Sequence, residues 1–169
     1  MTSAIRADLA EAHRQSLQHV ASPGARLDAE RRLQIAAAAT QGYLAAEPPP
    51  PWVRPFADPA LDVAFRLARY AGTITQEWYE QVITEGMHPL EWVEIVGIVV
   101  ATVPPLAFAR AAGRALPEFP PSVAGQPHGR EAAELAPATL NWVRPTSSEP
   151  ISKETSSGAL TNSPASPSR

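Results

Sequence analysis

The sequence predicts an all-α protein with an irregular C-terminal part, and three observations carry that reading. Apolar residues recur at helical spacing through most of the first 116 residues. Cap-and-proline pairs, Asp58-Pro59 and His88-Pro89, mark helix starts. No segment alternates with the period of two that a half-buried strand requires, and no internal repeat is evident.

Residues Ser3 to Val20 form the first predicted helix, with Ser3 at the N-cap and Ile5, Leu9, Ala12, Leu17 and Val20 at helical spacing. Ser22-Pro-Gly24 ends it. The second runs from Asp28 to Ala46, capped by Asp28 and rich in alanine, the strongest helix former; Gly42 weakens it locally. Pro48–Pro51 then imposes an extended segment, since prolines fix φ and offer no N–H. The aromatics of the following Trp52–Phe56 are expected to pin it to the core. A third helix, Pro59 to Tyr70, turns Leu61, Ala64, Phe65 and Ala68 inward. Thr75 caps a fourth, with Trp78, Val82 and Ile83 buried and Gly86 as its stop.

The fifth helix lies in His88–Gly113 and is the centre of the expected fold. Glu91 falls in its first turn, where the helix dipole favours an anion, and Gly113 supplies the stop. Fifteen residues without a charge separate Glu94 from Arg110. With Pro104 and Pro105 interrupting them, they fall short of the ~20 needed to cross a bilayer, so a buried core helix is expected. Beyond it the composition shifts to Pro, Ser, Thr and Gly. The expected organisation is a helical domain over 1–116, an extended arm over 117–144 and a disordered tail over 145–169, with Asn141–Pro145 as an anchor and a loose turn at Arg130–Leu135.

Composition excludes whole classes of chemistry. The chain has no cysteine, which removes disulfides, thiolate catalysis, Cys-ligated zinc and iron–sulfur clusters. Fourteen basic against 17 acidic residues, without a basic stripe, argue against nucleic acid or an anionic membrane as principal partner. No apolar signal region opens the sequence, so a cytoplasmic location is expected. No cofactor is expected, and no metal site, because nothing near the histidines has ligand spacing.

Two residues are candidates for catalysis. Glu94 shares a narrow face with Gly97, Ile98, Ala101 and Thr102; on a buried helix its carboxyl would be desolvated and its pKa raised towards that of a general acid or base. The structural alternative is that this face looks to solvent or a subunit partner and Glu94 pairs with an arginine. His13 falls inside the apolar arc of the first helix, beside Ser16, as a base, a metal ligand or a core histidine hydrogen-bonded to a carbonyl, the last being favoured. His88 is explained by capping, and no triad, Gly-rich phosphate loop or HExxH is present. Trp52, Trp78, Trp92 and Trp142 are assigned to packing or an interface, with a pocket beside Trp78 and Trp92 as the alternative.

The runs AEAHRQSLQHVASPG, LDAERRLQIAAAA, TITQEWYEQVI at Thr73–Ile83, EWVEIVG at Glu91–Gly97 and FARAAGRALPEFP at Phe108–Pro120 together resemble the alkylhydroperoxidase D-like / carboxymuconolactone decarboxylase superfamily. The resemblance spans most of residues 1–120 and implies a helical fold that assembles as a homo-oligomer. Its peroxidase members are implied to use a CxxC pair with a glutamate and a histidine; this chain has QGYLAAEPPPPWVRP where the pair is expected, so thiol peroxidase chemistry is lost. The decarboxylase side is implied to work by acid–base chemistry. Three functions follow as expectations: a catalytically silent helical oligomer, a lyase or isomerase acting on a small organic acid or lactone through Glu94 with His13, or a module binding a small apolar ligand.

Overall fold

The computed structural model describes residues 6–129 and contains five α-helices and one short 3-10 turn. The elements are α1 (Ala7–Val20), α2 (Ala29–Leu44), α3 (Pro59–Tyr70), the turn Ala71–Thr73, α4 (Gln76–Thr84) and α5 (Pro89–Ala111). No strand occurs among the described residues. Ser3 lies outside them; α1 has Arg6 at its N-cap position, with no side-chain cap. The expected elements at Arg130–Leu135 and Asn141–Pro145, and Trp142, also lie outside them.

Local chemistry sets most helix ends. Asp28 accepts from the Arg31 N–H at 2.8 Å, Asp58 from Ala60 at 2.9 Å and Thr75 from Trp78 at 3.2 Å, each satisfying a first-turn donor. His88 caps α5 by accepting the Leu90 N–H on Nδ1 at 3.2 Å. At the far end Gly113 takes φ +62°, Arg114 N–H reaches Ala109 O at 2.8 Å and Gly113 N–H reaches Arg110 O at 3.2 Å. That closing turn needs a residue at ease in the left-handed region, which glycine is. α2 stops at Leu44, two residues before Ala46, as the chain turns toward the prolines.

The core lies between α2, α3 and α5, with Ile35, Val63, Ile95 and Ile98 essentially inaccessible. Gly42 is what lets α2 and α3 approach: a Cβ there would sit 2.6 Å from the Phe65 carbonyl oxygen. Trp92 is sealed edge-on by Tyr79 and Trp78, with ring centroids 4.9 and 5.6 Å away. Trp92 and Tyr79 are both buried, and Trp78 packs against the core beside them.

The prolines inside α5 leave a specific debt in hydrogen bonds. Pro105 has no N–H for the Ala101 carbonyl four residues back. Ser16 of α1 supplies the missing donor, its hydroxyl reaching Ala101 O at 3.1 Å. This bond, with the His13 ring packed against Phe108, sets α1 antiparallel along α5.

The proline segment is held otherwise than expected. Trp52 is 81% exposed and anchors nothing. The segment is instead tied by its backbone: Arg66 of α3 donates to Pro51 O, and the Tyr70 hydroxyl donates to Pro49 O at 2.8 Å. Arg54 adds an ion pair to Glu85 at 2.8 Å. Of its aromatics only Phe56 packs inward, edge-on to Phe65 at 6.1 Å. Proline carbonyls are good acceptors with no N–H of their own, so a guanidinium and a phenol suit them better than apolar contact.

Residues 114–129 form no regular element and run back over the α1–α2 loop. Val123 N–H bonds Ala21 O at 2.8 Å, His128 N–H bonds Gly24 O at 3.0 Å and Gly129 N–H bonds Ala25 O at 2.9 Å.

Candidate functional site

Glu94 enters the structure on the first turns of α5, and its environment comes from three separate parts of the chain. Arg32 rises from α2 at a position that its neighbours Ala29, Ala36 and Ala39 mark as core-facing, and it is buried. Its guanidinium forms an ion pair with Glu94 Oε1, while the side chains are only 4% and 8% exposed. The remaining guanidinium donors are used at the end of α1, Nε to Val20 O and Nη2 to His19 O, each at 3.2 Å. Glu94 Oε2 accepts the Arg26 backbone N–H at 2.9 Å.

Gly24 closes the lid on this pair. A Cβ built there would collide with both the Glu94 carboxylate and the Arg32 guanidinium. Loop, carboxylate and guanidinium are in contact, leaving no space for a substrate between them. A buried charge survives only when paired and hydrogen-bonded, and these two satisfy that condition together. Chemically the arrangement is a clamp joining α1, α2, the loop and α5.

His13 is elsewhere. It is half-buried, its ring edge-on to Phe108 with centroids 5.3 Å apart. Phe108 lies roughly four turns beyond Glu94 on α5, about 21 Å along the axis. The two candidate residues therefore do not share a site. His13 lines an open groove of about 640 Å³ between α1, the end of α5 and the start of the arm, with Leu17, Pro105, Phe108, Arg114 and Glu118. That volume falls within the range of small-molecule sites. No group of three or more potential metal ligands occurs among the described residues.

A second buried carboxylate escaped the sequence reading. Asp62 of α3 is 3% exposed and pairs with Arg66 at 3.1 Å; its Oδ1 has no hydrogen-bond partner. Burial pushes its carboxyl above the ordinary Asp value, with Arg66 opposing. Arg66 is shared with the proline segment and lies 5.2 Å from the Trp78 ring, so this pair too is structural in its contacts. Asp58 behaves in the opposite way: its hydrogen bond from Arg31 holds the carboxyl below the usual range against some desolvation.

The face grouping expected around Glu94 is corrected by α5 itself. Ile98 and Thr102 are buried, and Gly97 is exposed with nothing within 4 Å of an added Cβ. The buried core helix expected over this segment is only partly enclosed: Val99 is 7% exposed, but Val93 is 48% and Val100 64% exposed. Arg32 and Gly24, which define the Glu94 environment, were missed; the one available signal was an arginine at core spacing in an alanine-rich helix.

Comparison of the chain with protein-family models, curated proteins and solved structures finds no match.

Proposed function

We propose that this chain is a catalytically silent helical protein that acts by association. In this reading it is a relative of the alkylhydroperoxidase D-like / carboxymuconolactone decarboxylase proteins that has lost thiol chemistry. One observation carries the proposal: both oxygens of Glu94, the best candidate for acid–base work, are committed to Arg32 and the Arg26 N–H under a glycine lid. A carboxylate so placed stabilises the fold and meets no substrate. The five-helix cysteine-free architecture is compatible with such a protein.

The test is turnover. The purified chain is incubated with an alkyl hydroperoxide plus a dithiol, and separately with lactone acids across a range of pH. No rate above that of folded Glu94→Gln is expected in either. Turnover that depends on Glu94 would overturn the proposal in favour of a lyase or isomerase.

A second reading is favoured by the groove beside His13, whose bed of Leu17, Pro105 and Phe108 suits the apolar part of a small organic ligand. Titration with octanoate or benzoate, followed by NMR of the His13 and Phe108 rings, would show saturable shifts if the groove binds.

A further inference from the structure

The loop between α1 and α2 is a short lid with both ends anchored. Ala21 is wholly buried and Leu27 packs in the core, while Arg26 between them is exposed. On its inner side the lid presents Gly24 to the Glu94–Arg32 pair and donates the Arg26 N–H to Glu94 Oε2. On its outer side it offers carbonyls. Those of Ala21, Gly24 and Ala25 each accept a backbone N–H from the arm, from Val123, His128 and Gly129 in turn. The lid therefore lies between a buried charged pair and an irregular stretch of chain.

A glycine sits at each of these two contacts. Gly24 has no room for a Cβ against the Glu94 carboxylate, and a Cβ at Gly125 of the arm would come 2.9 Å from Pro23 Cγ of the lid. Close approach of backbone to its neighbour is a use for which glycine is suited. The arm is seated on the lid along its backbone.

That hold is of a kind that can be given up. Phe119 packs against the core and fixes the start of the arm. From Pro121 to Gln126 every residue is exposed. Segments with few buried apolar contacts open locally at low free energy, long before the core does. Water can replace the partners that such backbone groups lose. Under the lid, by contrast, Ile35 of α2 and Ile95 of α5 are fully inaccessible.

We infer that residues 121–129 are a releasable latch. Seated, they hold the lid shut over Glu94 and Arg32; lifted, they let the lid swing about Ala21 and Leu27 and open the pair to solvent. Glu94 then loses the Arg26 N–H and keeps Arg32, whose other donors stay on Val20 O and His19 O of α1. The opened site presents one freed carboxylate oxygen beside a fixed guanidinium. This goes beyond the silent reading, since it makes the seclusion of Glu94 conditional on the arm; the turnover assays above test that reading separately. Anything that binds the lifted arm better than the seated one shifts the balance toward the open lid.

Hydrogen exchange of the full chain, followed by NMR amide by amide, is the test. In the wild type the Arg26 N–H should be at least as protected as those of Val123 and His128, because the lid cannot open beneath a seated arm. All three should exchange far faster than Ile35 and Ile95. Gly125→Val wedges a side chain against Pro23, and Val123→Pro removes the donor to Ala21 O. In each variant protection at Arg26 should fall about tenfold, the effect of losing one net hydrogen bond, with Ile35 and Ile95 unchanged. Phenylglyoxal, located by peptide mass mapping, should then modify Arg32 several-fold faster than in the wild type. Wild-type Arg26 exchanging faster than Val123 and His128 would overturn the latch, and this ordering decides alone should a variant fail to fold. Undiminished Arg26 protection in a variant whose His128 amide shows the arm lifted would also overturn it. Equal loss of protection at Ile35 and Ile95 would do the same, making the arm part of the global core. Arg32 modified no faster with the arm lifted would overturn the opening of the pair.

Discussion

Truncating Glu94 to alanine leaves Arg32 charged, buried and without its carboxylate. Losing one partner of a buried pair costs about 3–5 kcal/mol. The lower end applies here, because Val20 O and His19 O still accept from Arg32. About 3 kcal/mol is a large share of the roughly 5–15 kcal/mol that holds a domain folded. Urea unfolding followed by circular dichroism should show a midpoint lowered by a fifth or more with an unchanged slope. Arg32→Met combined with Glu94→Leu removes both charges and keeps apolar volume, and such replacements are often neutral or stabilising. The double variant should therefore recover most of the loss. A cost below about 1 kcal/mol for Glu94→Ala, or a double variant as unstable as the single one, would refute the clamp.

Gly42→Ala should destabilise by about 1–3 kcal/mol, as overpacking does, despite alanine's better helix propensity, because the added methyl meets the α3 backbone at Phe65; thermal melts read this directly. Asp62 and Asp58 should give opposite pH dependences. Since burial raises the Asp62 pKa, the folded state holds its proton more tightly than the unfolded chain, so the Asp62 contribution is most favourable at acid pH and declines as pH rises through the folded-state value. Asp58, lowered by Arg31, contributes above its unfolded pKa and loses that contribution as pH falls through the folded one. Urea midpoints of the wild type minus those of Asp62→Asn and Asp58→Asn, measured from acid to neutral pH, should slope in opposite directions.

Helix ends were the part of this fold most legible in the sequence, because caps are local. Asp58-Pro59, Thr75, His88-Pro89 and Gly113 each act within a few residues, and each is found at its expected position. The open side of α5 was not legible. A helix apolar on every side has no periodic signal to say which face meets the core, so the phase had to come from its neighbours. The pairing of Arg32 with Glu94 was equally hidden, since no spacing rule links residues 62 apart. At Trp52 the aromatic was a misleading signal: the neighbouring prolines offer carbonyls that Arg66 and Tyr70 take instead.

That 62-residue separation has a consequence for biosynthesis. At about 5–20 residues per second, Arg32 leaves the ribosome's catalytic centre roughly 3–12 seconds before Glu94 is added. The α2–α3 hairpin, joined at Gly42 and Phe65, can associate during that interval, but its guanidinium stays without its carboxylate until α5 arrives. The nascent chain thus carries a built-in delay: early collapse around α2 is discouraged by a cation without its carboxylate, and α5 neutralises it on arrival.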